Sequence, residues 1–142
     1  AVSSIGAKRV VIDSIAELEH GANGDRFSDY LWSLVGAVRK GGATVILTSE
    51  TSAFFGPAFE LAHGLSFIAD NIVLLRYTEL ESEIRRALVV VKMRDSDHTK
   101  SLVEFEITNR GTLVKGKFVG VSGVMSGTPT QTEQKFREFF GR

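Results

Sequence analysis

Apolar residues fall along this chain in short continuous runs separated by polar, glycine-rich breaks. Arg9-Val10-Val11-Ile12-Asp13 is one such run, closed by an acid. An apolar stretch of that length without polar alternation reads as a strand buried on both faces of a parallel sheet. Ala22-Asn23-Gly24 interrupts the chain, and Asp25 is placed to cap the helix that follows. In that helix Phe27, Leu31, Leu34 and Val38 recur at helical spacing and give one apolar stripe, which Lys40 and Gly41-Gly42 end. Thr44-Val45-Ile46-Leu47-Thr48 predicts a second buried strand, closing on Ser49-Glu50.

Pro57 suits the first turn of a short helix that Gly64 stops, and Asn71-Ile72-Val73-Leu74-Leu75 predicts a third strand. A charged turn around Glu79 to Glu83 precedes a long β-branched strand from Arg86 to Arg94. After a polar loop from Asp95 to Lys100, Val103, Phe105 and Ile107 alternate with Glu104 and Glu106, apolar inward and acidic outward. These last two strands predict an antiparallel hairpin on the edge of a parallel sheet. The Gly/Ser/Thr-rich residues 120–131 predict a mobile connection, and Thr132 to Phe140 a last short helix. The plan is α/β with right-handed crossovers, residues 1–119 forming the folded part and 120–142 a flexible tail.

Composition narrows the function classes. Lys+Arg and Asp+Glu balance at 17 each, so no global field draws the chain toward nucleic acid or an anionic membrane. Cysteine is absent, which excludes a disulfide scaffold, a thiol nucleophile and a Cys-based zinc site, and fits a cytoplasmic protein. His20, His63 and His98 lie far apart, so a histidine metal cluster is not expected. No apolar stretch approaches the roughly 20 residues of a membrane span. The chain opens on AVSSIGAK with no initiator Met, directly ahead of its first strand, and reads as if it starts partway through a domain.

Three groups of residues can carry chemistry. Asp13 ends a buried strand, where ligands of open α/β sheets gather, and an acid there can hold Mg²⁺ through water; it can equally cap the next turn. Thr48, Ser49 and Glu50 end the neighbouring strand at the same edge, where hydroxyls can orient a water, sense a terminal phosphate, or only bond locally. Lys92 and Arg94 are two apart on a strand and so share a face, with Ser96, His98 and Lys100 following. Together they form a phosphate-sized cluster of charged donors with no obvious partner nearby in sequence. The competing reading is an edge strand protected from aggregation by its charges.

Taken in order, RVVIDS, GATVILTSE, FIADNIVLLRY, RRALVVVKMR, His98, FEITNRG and the trailing SGTPT resemble the second half of a KaiC-like domain, in the RecA superfamily of P-loop ATPases. The resemblance covers nearly the whole chain, and its most specific part is KMR-x-x-x-H. It implies a partial RecA-like fold and a nucleotide lying between subunits of a ring, usually a hexamer. By position, Asp13 matches the acid of the second nucleotide motif, for Mg²⁺ in cis. Lys92 and Arg94 match cations that reach the terminal phosphate of ATP in trans, and Met93, Ser96, His98 and Lys100 match further contacts. Arg86, Thr108 and Asn109 match positions that touch the nucleotide in one or other of the paired KaiC domains.

The chain departs from the family in three places. No G-x-x-x-x-G-K-[ST] occurs, so these residues alone are expected to bind ATP poorly. Where an autophosphorylating KaiC domain has a Ser-Thr pair, Ser66 keeps the first position as a candidate phosphosite and Phe67 replaces the second. Asp95 stands where the family often has Gly. Two other classes compete with a KaiC-like ATPase: a RecA- or DnaB-like motor on DNA, and a non-catalytic oligomerisation or regulatory module of the same shape. Neutral charge and the lack of aromatics interleaved with basic residues argue against the motor and against nucleic acid as a partner. The partners expected are copies of the same chain and a regulatory protein that the sequence does not name.

Overall fold

The computed structural model describes residue 2 and residues 4–20, 26–50, 65–126 and 129–131. The chain divides into two compact units, one of residues 1–52 and 61–69, the other of residues 53–60 and 70–142.

The first unit is built on a parallel pair. β1 (Arg9–Ile12) and β2 (Thr44–Leu47) align Arg9 with Thr44 through Ile12 with Leu47. Backbone bonds extend the ladder at both ends, Thr44 N–H to the Lys8 carbonyl at 2.9 Å and Thr48 N–H to the Ile12 carbonyl at 3.0 Å. α1 (Ile15–His20), which the sequence pattern does not announce, follows β1 directly. α2 (Phe27–Lys40) returns the chain to β2, making the crossover a parallel pair requires. Its buried stripe is Phe27, Leu31, Val35 and Val38, with Leu34 only half-buried, so the helix is rotated slightly from the predicted face. Gly41 and Gly42 end it as expected: both donate to carbonyls of the last turn, and Gly42 takes φ +77°, a conformation without penalty only for glycine. The cap predicted at Asp25 lies outside the described residues.

α3 (Leu65–Ile68) is a helical turn that the sequence pattern does not predict; the expected helix from Pro57 to His63 lies outside the described residues. Leu65 and Ile68 join Ile15, Phe27, Leu31 and Val35 in one buried cluster, against which Leu18, Val45 and Leu47 pack. Phe27 and Leu31 are fully enclosed. Among the described residues β1 and β2 form a two-stranded sheet.

The second unit is a four-stranded antiparallel meander in the order β3 (Asn71–Leu80), β4 (Glu83–Met93), β5 (Val103–Thr108) and β6 (Gly111–Lys117). The α/β class stands, but the antiparallel part is larger than a hairpin. The predicted third strand continues to Leu80 and pairs with β4 along its whole length. Glu81 and Ser82 make the connecting turn, both at positive φ (54° and 61°), the two-residue turn whose twist matches the strands. The turn falls where the sequence pattern expects a charged one, but Glu-Ser is not a signature hairpin pair, so the antiparallel pairing across it was not predicted. β6 was not foreseen either: its described residues are exposed, so no apolar alternation marks it.

β5 buries Phe105 but leaves Ile107 66% exposed, while Glu104 and Glu106 are half-buried, against the predicted apolar-in, acidic-out division. The acids are drawn into ion pairs instead. Arg85 meets Glu83 at 3.2 Å and Glu104 at 3.5 Å, and Lys115 meets Glu106. Nor is the segment after residue 120 a loose connection throughout. β7 (Val121–Ser122) pairs with β8 (Thr130–Gln131), Val124 is buried, and Arg76 on β3 donates to the Met125 carbonyl. The predicted terminal helix, Thr132 to Phe140, lies outside the described residues.

Candidate functional site

In the first unit, Asp13 and Thr48 follow the last residues of β1 and β2 and meet side by side. The Thr48 hydroxyl donates to Asp13 Oδ1. The Thr48 backbone is fixed independently, its carbonyl accepting from Ile15 N–H at 3.0 Å and its N–H donating to Ile12. Parallel pairing in register brings them together: Ile12 aligns with Leu47, so the next residues of both strands emerge at the same edge. Both side chains are exposed, as are Ser49 and Glu50. Oxygen donors at the carboxyl ends of parallel strands suit a hard cation held through water, so the residues present fit Mg²⁺.

In the second unit, Lys92 lies on β4, half-buried, with Met93 exposed beside it. Arg94 is the first residue past the strand. It is not without a partner, as sequence distance suggested: its Nη1 lies 3.0 Å from Asp70 Oδ1, and its backbone N–H donates to the Asp70 carbonyl at 2.9 Å. Asp70 immediately precedes β3, and antiparallel pairing of Asn71 with Met93 carries it to Arg94. Sequence spacing alone does not single out Asp70; its one cue is an acid placed directly ahead of an apolar run.

Asp95 then takes φ 59°, the left-handed region that glycine enters freely and Asp tolerates better than most residues. That explains how an acid stands where the related family often has Gly. In the following loop Asp97 bonds locally, its carboxylate accepting from His98 N–H at 2.9 Å and its carbonyl from the Ser96 hydroxyl at 3.3 Å. Ser96 and Lys100 are exposed and His98 half-buried.

The remaining predicted contacts are not gathered into this cluster. Arg86 sits six strand positions before Lys92, roughly 20 Å along β4 at strand rise. Its guanidinium lies over the Tyr77 ring, 5.6 Å from the centroid, a cation–π contact between register partners. Thr108 is occupied in the β5–β6 turn, its hydroxyl donating to the Gly111 carbonyl at 2.9 Å and accepting from Arg110 N–H at 3.1 Å. Asn109 is exposed in that turn. Ser66 is half-buried in α3, beside Phe67, which is exposed. Among the described residues no group of His, Asp and Glu forms a ready-made metal cage, and no helix is long and apolar enough to cross a membrane.

A parallel strand pair with an acid and a hydroxyl at its carboxyl edge, followed along the chain by an antiparallel sheet with Lys92 on it and Arg94 just past its strand, fits a partial RecA-like ATPase fold. The KaiC ATPase family profile matches residues 1–117, and the chain belongs to that family. It is similar to the circadian clock oscillator protein KaiC of Thermostichus vulcanus, 33% identical over 130 residues, which cover 92% of this chain and 25% of the relative. The circadian clock protein KaiC3 of Synechocystis is 35% identical over 126 residues, covering 89% of this chain and 25% of the relative. The chain thus spans about a quarter of the length of these relatives. Among solved structures, a KaiC-like protein from the hyperthermophile Pyrococcus horikoshii superposes with a TM-score of 0.69 at 30% identity, over 80% of this chain and 49% of that one.

Proposed function

We propose that this chain is the part of a KaiC-like, ATP-hydrolysing domain that contributes to nucleotide sites between subunits of a cytoplasmic ring, a hexamer of the same chain. The observation that carries the reading is the Asp13–Thr48 contact at the carboxyl edge of β1 and β2. Asp13 would hold Mg²⁺ through water in its own subunit's site. Thr48, by donating to one carboxylate oxygen, would leave the other to accept from that water, and Ser49 and Glu50 would sense the terminal phosphate.

Bound Mg-ATP supplies the transferable phosphoryl group and the divalent charge that polarises it. Lys92 and Arg94 would place fixed positive charge at a neighbouring subunit's phosphates, where negative charge builds up on transfer. Met93, Ser96, His98 and Lys100 would add contacts from the same loop. Arg86, Thr108 and Asn109 would touch the nucleotide away from that cluster, and Ser66 would be the phosphate acceptor if the domain phosphorylates itself.

Three measurements test this. In the intact protein Arg94→Ala should cut ATP hydrolysis by at least about tenfold, well within what an arginine supplied in trans contributes, with little change in melting temperature. Mixing Arg94→Ala subunits with subunits lacking the phosphate-loop Lys should restore part of the activity, because some interfaces then carry two intact halves. Subunit exchange without recovery would exclude action in trans. The 142 residues alone should bind Mg-ATP weakly, since the backbone amides and Lys of a phosphate loop supply most phosphate contacts.

A further inference from the structure

Arg94 and Asp70 are joined twice. The Arg94 N–H donates to the Asp70 carbonyl at 2.9 Å, one rung beyond the last register pair of β3 and β4, and Nη1 meets Asp70 Oδ1 at 3.0 Å. The backbone bond fixes where the arginine begins and the ion pair fixes where it ends. An arginine side chain otherwise samples many rotamers, and a ligand that needs it must order it first.

The pair does not bury the cation. The Arg94 side chain is 46% exposed and Asp70 is met through Nη1, while a guanidinium carries five N–H donors in a fixed fork. Donors therefore remain accessible to an incoming anion. Strength points the same way: a half-exposed pair of this kind is weak beside charge-assisted bonds to a phosphate, so the carboxylate steers the guanidinium without withholding it. The left-handed turn at Asp95 ends the strand at once, so the aim of Arg94 is set by β4 and Asp70.

We propose that Asp70 is a positioning residue, a counter-ion immediately ahead of β3 that holds the Arg94 guanidinium ready for a phosphate group. The inference rests on the nucleotide reading above. It is tested on the intact protein with Asp70→Ala, Arg94→Ala and the double variant, and with Asp70→Asn as a shape-preserving control for folding. The first measurement needs no nucleotide: the rate at which phenylglyoxal modifies Arg94, followed by mass spectrometry. Asp70→Ala should raise that rate several-fold, with Asp70→Asn in between. An unchanged rate in both variants overturns the positioning role, whatever Arg94 does.

The second is the affinity for the non-hydrolysable analogue adenylyl imidodiphosphate. Arg94→Ala should weaken binding roughly tenfold, as loss of a charge-assisted contact does. Asp70→Ala should weaken it several-fold, and the double variant should be no weaker than Arg94→Ala, because Asp70 is not itself a contact of the nucleotide. Additive losses, or tighter binding by Asp70→Ala, overturn the proposal. If Arg94→Ala alters neither affinity nor hydrolysis, the nucleotide reading itself fails, a result separate from an unchanged modification rate.

Discussion

The Thr48 hydroxyl donates to the Asp13 carboxylate, joining the carboxyl ends of two parallel strands that α1 and α2 separate in sequence. The backbone of Thr48 is held by Ile12 and Ile15 regardless, so its side chain can be changed without undoing the ladder. In the intact protein Thr48→Val, which keeps the shape and removes the donor, should lower ATP turnover by roughly tenfold, the scale of a hydrogen bond to a charged group. Thr48→Ser should preserve it. Equal rates for both variants would reduce the hydroxyl to a local turn-former.

The rotation of α2 makes its neighbouring leucines unequal. Leu31 is fully enclosed among Ile15, Phe27, Val35, Leu65 and Ile68, whereas Leu34 is only half-buried. Leu31→Ala should cost about 2–5 kcal/mol through lost burial and the cavity left behind. Leu34→Ala should cost well under that. Denaturant melts of the two variants check the ranking, and an equal loss at Leu34 would place the stripe on the face that the sequence pattern predicts.

At the β3–β4 turn, Ser82 holds φ 61° without the freedom glycine has there. Left-handed backbone costs a non-glycine residue roughly 1–2 kcal/mol, part of which glycine returns through its more disordered unfolded chain. Ser82→Gly should therefore raise stability by about 0.5 kcal/mol and Ser82→Val should lower it. A thermal melt that ranks them the other way would rule out the two-residue turn.

Lys115 is pushed above its ordinary value of 10.5, first by its hydrogen bond to Glu106 and then by the charges of Glu106 and Glu104, against desolvation and Arg85. A lysine whose value rises on folding adds stability that is complete below its unfolded value. That stability fades as pH climbs through the higher folded one. The contribution should thus be intact at neutral pH and lost only in strongly alkaline solution. Glu106→Gln should bring the Lys115 titration back toward 10.5, read by NMR, and flatten that alkaline loss.

Much of this site was legible because its cues are local. Asp13 and Thr48 each close an apolar run, and two such runs flanking a helical stripe pair in parallel, so their ends were bound to share an edge. Lys92 and Arg94 were marked by charge and period. Asp70 carries neither cue, and the hydroxyl of Thr108, which the family resemblance matches to a nucleotide contact, closes a turn with Gly111.

Strand or helix in β1, α2, β2 and most of β4, and the charged residues there, follow from local pattern, because a short apolar run or a helical apolar stripe declares its element without reference to distant residues. Which strand lies beside β3, and in which direction, came from packing. Asn71-Ile72-Val73-Leu74-Leu75 reads the same whether its neighbour runs parallel or antiparallel, since an apolar run does not record the direction of the partner. That choice, made by the turn at Glu81-Ser82, aligned β3 with β4 and set Asp70 against Arg94.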